Sequence, residues 1–154
     1  MHIIKSTDDA KKLIGKEIGL SDWISINQKQ IDQFAKATSD YQWIHVDTDR
    51  AQNEMPDGKT IAHGYLIISL IPSLTDNFIH IENLARAVNF GLNKVRFYAP
   101  IPVDSRLRCR ASVLQASQRG DALVLTSEVR IELDEQKKPA CVAEIISMYF
   151  FKKQ

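Results

Sequence analysis

Apolar and polar positions along the chain change period twice, and each change predicts a different element. From Glu17 to Ile26 the apolar residues Ile18, Leu20, Ile24 and Ile26 fall on even positions, the period of a strand with one buried face. Asp22 interrupts that run, and Trp23 lies on the opposite face. At Asn27 the period lengthens. Asn27 is a good N-cap with Gln30 three residues on, and Ile31, Phe34, Ala35 and Thr38 follow at i, i+3, i+4 and i+7. That spacing predicts a helix running to about Ser39. The segment Tyr41 to Val46 is too short and mixed for another long element. Asp47 or Thr48 can cap one further helical turn through Asn53, and Met55-Pro56-Asp57-Gly58-Lys59 reads as a turn.

Gly64 to Ile79 is the next predicted helix. Leu66, Ile67, Ile68, Leu70, Ile71 and Leu74 surround it with apolar side chains, which predicts burial on all sides. Pro72 lies within it and is expected to kink or split it near Ile68. After Leu84 the period returns to two. Ala87 to Tyr98, the run carrying Arg106, Arg108 and Arg110, the run from Leu123 to Leu133, and Cys141 to Phe151 read as four long antiparallel strands. They are separated by turns at Ala99–Asp104, Gly120-Asp121 and Lys137-Lys138-Pro139. The last strand is apolar enough to be central. Upstream, Ser6 and Asp9 are spaced like a capping box, so a short helix ending near Gly15 makes residues 1–16 an N-terminal helical extension. The order is a strand, helices, then a run of strands. It predicts an α+β fold in which one antiparallel sheet wraps one buried helix.

The remaining bulk properties narrow the function. At 154 residues, 44% hydrophobic and 25% charged, the chain has the size and composition of one globular domain. A net charge of +1 argues against nucleic acid or an anionic membrane as partner. No stretch approaches the ~18 apolar residues of a membrane span, and the N-terminus lacks a secretory signal. Cys109 and Cys141 sit in strand-like apolar runs with no CxxC spacing, so buried free thiols and a cytoplasmic location are expected.

Candidate chemistry concentrates between Phe34 and Ile71. Asp40 and His45 are five apart across a helix end, where a turn can bring a carboxylate and an imidazole onto one water. The structural alternative is that Asp40 caps an amide and His45 is a satisfied core histidine. Gly64 opens a buried helix, where its N–H is an unpaired donor aligned with the helix dipole. His63 reads as structural. A metal site from Asp40, His45, Asp47 and His63 lacks any supporting HxxxH or HExxH spacing. Ser69 lacks a nucleophile elbow. It reads first as a core hydroxyl bonded to its own helix, and second as a substrate-positioning group. Arg106, Arg108 and Arg110 read as a solvated face. The sharper alternative is that they, with Lys94 or Arg96, contact the phosphates of a carrier such as coenzyme A.

FAKATSDYQWIHVD and the following TIAHGYLIISL resemble the hydratase signature of MaoC-like dehydratases, the (R)-specific enoyl-CoA hydratases, and NFGLNKVRFYAPIPVDSRLR resembles the strand and turn that follow in that family. The similarity runs from about Glu17 to the C-terminus and is closest to the single-domain, nodulation-protein-N-like branch. It implies a hot-dog fold over residues 1–154, an antiparallel sheet wrapped around a long central helix. It also implies a homodimer with acyl tunnels near the interface. By the same resemblance Asp40 and His45 match the catalytic pair, Gly64 the amide donor to the thioester carbonyl, and Ser69 a serine that helps order the site. Two runs depart from the family pattern. Its Gly-Asp-x-Asn-Pro-x-His reads Ser39-Asp40-Tyr41-Gln42-Trp43-Ile44-His45, and Asp104-Ser105 stands where Gly-Asp is common. The implied activity is reversible hydration of trans-2-enoyl-CoA to (R)-3-hydroxyacyl-CoA, with coenzyme A as part of the substrate and no metal or other cofactor. A carrier-protein-linked substrate, a hot-dog acyl-CoA thioesterase and a non-catalytic acyl-thioester-binding module are the alternatives. Tyr41, Trp43, Phe78 and Phe90 are candidates for shaping the tunnel, or ordinary core.

Overall fold

The two-residue period of the C-terminal half builds a single antiparallel sheet. The computed structural model describes residues 1–134 and 136–152. Its four long strands are β5 (Leu84–Phe97), β6 (Arg106–Arg119), β7 (Ala122–Leu133) and β8 (Cys141–Phe151), after the shorter β1 (His2–Ile4), β2 (Glu17–Leu20), β3 (Ile24–Ser25) and β4 (Ile79–Ile81). The main sheet has the order β2-β6-β7-β8-β5, with β3 also paired to β6. β7 holds the middle place, and β8 is internal as expected, paired to β7 on one side and β5 on the other. Along β7 the residues Leu123, Leu125, Val129, Ile131 and Leu133 are buried, as the alternation predicts. Gly120 turns the β6–β7 hairpin at φ 61°.

The helices are α1 (Thr7–Lys11), α2 (Gln28–Thr38), α3 (Trp43–Val46), α4 (Thr48–Glu54) and α5 (Gly64–Leu74). Asn27 caps α2 in a full capping box with Gln30, and Asp47 caps α4 through the Arg50 N–H at 3.0 Å. The predicted strand from Glu17 to Ile26 is two pieces, parted where Ser21 turns to bond Cys109. Residues 1–16 are not helix alone, because β1 precedes α1 and pairs in parallel with β4.

α5 departs most from expectation. It ends at Leu74, not Ile79, and passes through Pro72 without splitting. Its buried stripe is Leu66, Ile67, Ile71 and Leu74, facing the sheet core. Tyr65, Ser69, Pro72 and Ser73 are exposed, so the helix is not buried all round. At 11 residues it spans about 16 Å, shorter than the long central helix expected. Phe78 then folds back, with its ring against the α-carbon of Gly19 where a Cβ would stand 2.4 Å from it.

Cys109 and Cys141 are free and buried, in register with Ile131 between them across β6, β7 and β8. Burial pushes both thiols up, to about 12 for Cys109 and about 11 for Cys141. No helix among the described residues is long and apolar enough to cross a membrane.

Candidate active site

Three short links converge on the start of α5. The first is the end of α2, where Ser39 takes a left-handed conformation at φ 60° and throws Asp40 out of the helix. The second is α3, one turn long, which carries His45. Trp43 takes its first helical position, where the family pattern has proline, and the turn still forms. The third is the extended run Thr60–Ala62, pinned to the 101–103 turn by Ala62 N–H to Ile101 at 2.8 Å and Val103 N–H to Thr60 at 2.9 Å. Ile61 joins the last two: its N–H donates to the Ile44 carbonyl at 3.0 Å, and its carbonyl lies 2.7 Å from His45 Nδ1.

His45 is buried, at 7% exposure. With Nδ1–H donated to the Ile61 carbonyl, the lone pair of the ring sits on Nε2. Burial holds its pKa below the ordinary histidine value. The Ile61 carbonyl and Asp40 pull it up, and His63 pushes it further down. Asp40 is exposed and accepts the Gln42 N–H at 3.4 Å, so the amide-capping alternative is partly realised, though the contact is long. A carboxylate oxygen of Asp40 and a ring nitrogen of each of His45 and His63 lie within 4.8 Å of one another. Two hydrogen bonds of ~2.8 Å meeting on one water span about that distance.

His63 belongs to this cluster rather than to the bulk core. Its ring stacks on His45 with centroids 3.8 Å apart and planes 24° from parallel. Phe34 flanks it at 5.0 Å. The three groups are close enough to hold a metal ion, and one nitrogen of each ring is already bonded, His45 Nδ1 to the Ile61 carbonyl and His63 Nε2 to the Asp40 carbonyl. Asp47 is instead occupied as the cap of α4.

Gly64 begins α5, and its N–H, with those of Tyr65 and Leu66, meets no acceptor among the described residues. Its φ is not left-handed. A Cβ here would stand 2.8 Å from the tip of the Phe97 ring, so a larger residue would oblige that ring to move. Ser69 lies on the exposed face of α5 and donates its hydroxyl to the Tyr65 carbonyl at 2.7 Å. The helix-bonded reading holds, but the residue is not in the core.

Sequence reasoning missed Gln28. Its Nε2 donates to the His45 carbonyl at 2.7 Å, and its Oε1 accepts the buried Thr60 hydroxyl at 2.6 Å. It thereby ties α2 to both later links. The partner is 17 residues away, so no local pattern signals it.

Other candidates are placed elsewhere. Arg106, Arg108 and Arg110 are met by Asp134, Glu132 and Glu17, which supports a solvated, ion-paired face rather than a free phosphate cradle. A cavity of about 600 Å³ opens at the far end of α5, by Pro72, Thr75 and Phe78. None of Asp40, His45, His63 and Gly64 lines it. Phe78 therefore faces that cavity, Phe90 lies exposed on β5, Tyr41 is exposed, and Trp43 stacks under Arg50 at 4.1 Å.

Comparison with known proteins places the chain in a family and a fold. Residues 9–135 match the family model of the MaoC like domain. The chain is 42% identical over 150 residues to the 3-hydroxyacyl-thioester dehydratase Z of Mycobacterium tuberculosis, covering 97% of this chain and 99% of that protein. It is 39% identical over 153 residues to nodulation protein N of Rhizobium leguminosarum bv. viciae, covering 98% and 94%. Among solved structures, the unliganded R-hydratase PhaJ1 of Pseudomonas aeruginosa superposes with a TM-score of 0.68 at 20% identity, over 92% of this chain and 84% of that one. That likeness shows the shared hot-dog fold.

Proposed function

This chain belongs to the MaoC-like dehydratase family and is an enzyme of the hydratase/dehydratase type, and from that premise we propose that it adds water reversibly to a trans-2-enoyl thioester to give an (R)-3-hydroxyacyl thioester. Coenzyme A carries the acyl group in this reading, and no metal or other cofactor takes part. The observation that carries it is the gathering of Asp40 and His45 beside the open N-terminus of α5.

The two groups act on one water. The Asp40 carboxylate and His45 Nε2 are both acceptors for its protons, because His45 Nδ1–H is already committed to Ile61. One of them takes a proton as the water oxygen adds to Cβ. The group that took this proton passes it to Cα on the same face as the new C–O bond, so water is added whole and both groups return to their starting state. Charge that develops on the thioester oxygen is met by the Gly64 N–H with the α5 dipole behind it. Ser69, one turn further along the exposed face, keeps its oxygen lone pairs for a substrate amide.

Purified protein with crotonyl-CoA should show loss of the enoyl-thioester absorbance. Asp40→Asn should lower the rate by ~10²–10⁴-fold, and a loss below tenfold overturns the role of Asp40. Release of free thiol from a saturated acyl-CoA, without hydration, would replace this reading with thioester hydrolysis. Conversion of enoyl groups only on a carrier protein would replace coenzyme A as the carrier.

The partner that fits the exterior is a second copy of this chain. β5 ends the sheet with one edge unpaired among the described residues, and Val88, Phe90, Leu92 and Phe97 on it are between 43% and 49% exposed. A long apolar edge strand left open invites pairing. Phe97 touches Gly64, so a partner seated there would border the site.

A further inference from the structure

We propose that His63 is a positioning residue that holds Asp40 and His45 in register with each other. What the two groups then do rests on the hydration reading above, but their placement does not.

His63 reaches both members of the pair by different means. Its Nε2 lies 3.0 Å from the backbone carbonyl of Asp40, 23 residues earlier in the chain, and its ring face lies on the ring of His45. Asp40 needs such a tether. It stands just past a left-handed helix end, exposed, and its carboxylate makes one long contact with Gln42. The bond from His63 fixes the backbone from which that carboxylate projects. His45 is held in its plane on one side by Ile61 and across its face by His63. The residue that fixes both is also the N-cap of α5, the chain neighbour of Gly64, so all three proposed functional groups meet at one residue.

The ring chemistry distinguishes this role from simple filling. His63 is 2% exposed, and its Nδ1 is buried without a partner among the described residues. A buried polar atom without a partner is a cost that a phenyl ring of similar shape would avoid while keeping both stacking contacts. What phenylalanine lacks is the Nε2–H. The bond to Asp40 is therefore what the imidazole supplies at this position.

Two variants separate the parts. His63→Phe keeps the stack and removes the donor. His63→Gln keeps a donor at the reach of Nε2 and removes the ring. In steady-state hydration, His63→Phe should lower kcat by about 10–100-fold with little change in KM, since the reacting groups are displaced while the substrate surface is intact. His63→Gln should recover most of that loss. A His63→Phe enzyme with wild-type kcat, or equal losses in both variants, overturns the proposal.

A readout without substrate stands beside this one. NMR of the wild-type protein should show a slowly exchanging His63 Hε2 proton coupled through the hydrogen bond to the Asp40 carbonyl carbon. Its absence overturns the proposal even if neither variant folds. Should the wild type hydrate no enoyl thioester, the functional reading fails and this signal alone decides the placement.

Discussion

Ser39 and Asp104 stand at φ 60° and 66°, in the region that side chains with a Cβ enter at a cost. Both are positions where the family pattern carries glycine, so the departures seen in the sequence fall at two left-handed turns. Ser39→Gly is expected to raise stability by about 0.5–1 kcal/mol, read as a higher midpoint in urea denaturation, because it relieves that conformation at the helix end. Asp104→Gly should gain less, since aspartate tolerates this conformation better. Asp40, His45 and Gly64 were legible as residues because a motif of fixed spacing carries them. His63 was read as structural, and its contacts with Asp40 and His45 were not foreseen. Its part depends on a ring lying flat on His45 and a bond to a main-chain carbonyl, and neither leaves a trace in residue type or spacing. The packing of the Phe97 ring against Gly64 was also hidden, because Phe97 arrives from a strand 33 positions downstream.

The long strands were the most legible elements, because the alternation from Ser127 to Leu133 in β7 and the turn residues at Gly120-Asp121 report the sheet directly. α5 was over-extended for an equally physical reason. Phe78 follows Leu74 at helical spacing, so local periodicity continues past the true end. The chain instead leaves the helix at Thr75, and Ile79–Ile81 pairs with His2–Ile4, a partner at the opposite end of the sequence. Such non-local pairing also explains why β1 was missed. β5 supplies the prediction at this scale. If its free edge seats a second copy, Leu92→Lys together with Val88→Lys will convert a species of twice the chain mass into one of single mass in light scattering. Persistence of the doubled mass would assign the contact to another surface.

For the whole molecule, acid is the informative perturbation. His45 has a folded pKa held below the 6.5 of a free imidazole. Between those two values the unfolded chain binds a proton that the native state resists, so native stability is complete above about 6.5 and declines as pH falls through that window. The expected result is a drop in melting temperature from pH 7 to pH 5 that is smaller in His45→Gln. An equal drop in both proteins would assign the acid sensitivity to other groups. The α+β order and the sheet-on-helix arrangement were readable from the two periods alone. Relations between the ends of the chain, and the convergence of three loops on one helix start, became visible only in three dimensions. The placement of the two cysteines has a practical consequence for labelling chemistry. With both sulfhydryls sealed inside the sheet and almost wholly protonated at neutral pH, the native chain is a silent background for maleimide reagents. A single cysteine introduced on the outer rim of β5 would carry a spin or fluorescent probe alone, and its spacing to the same probe on a second copy would be measured without first removing either native thiol.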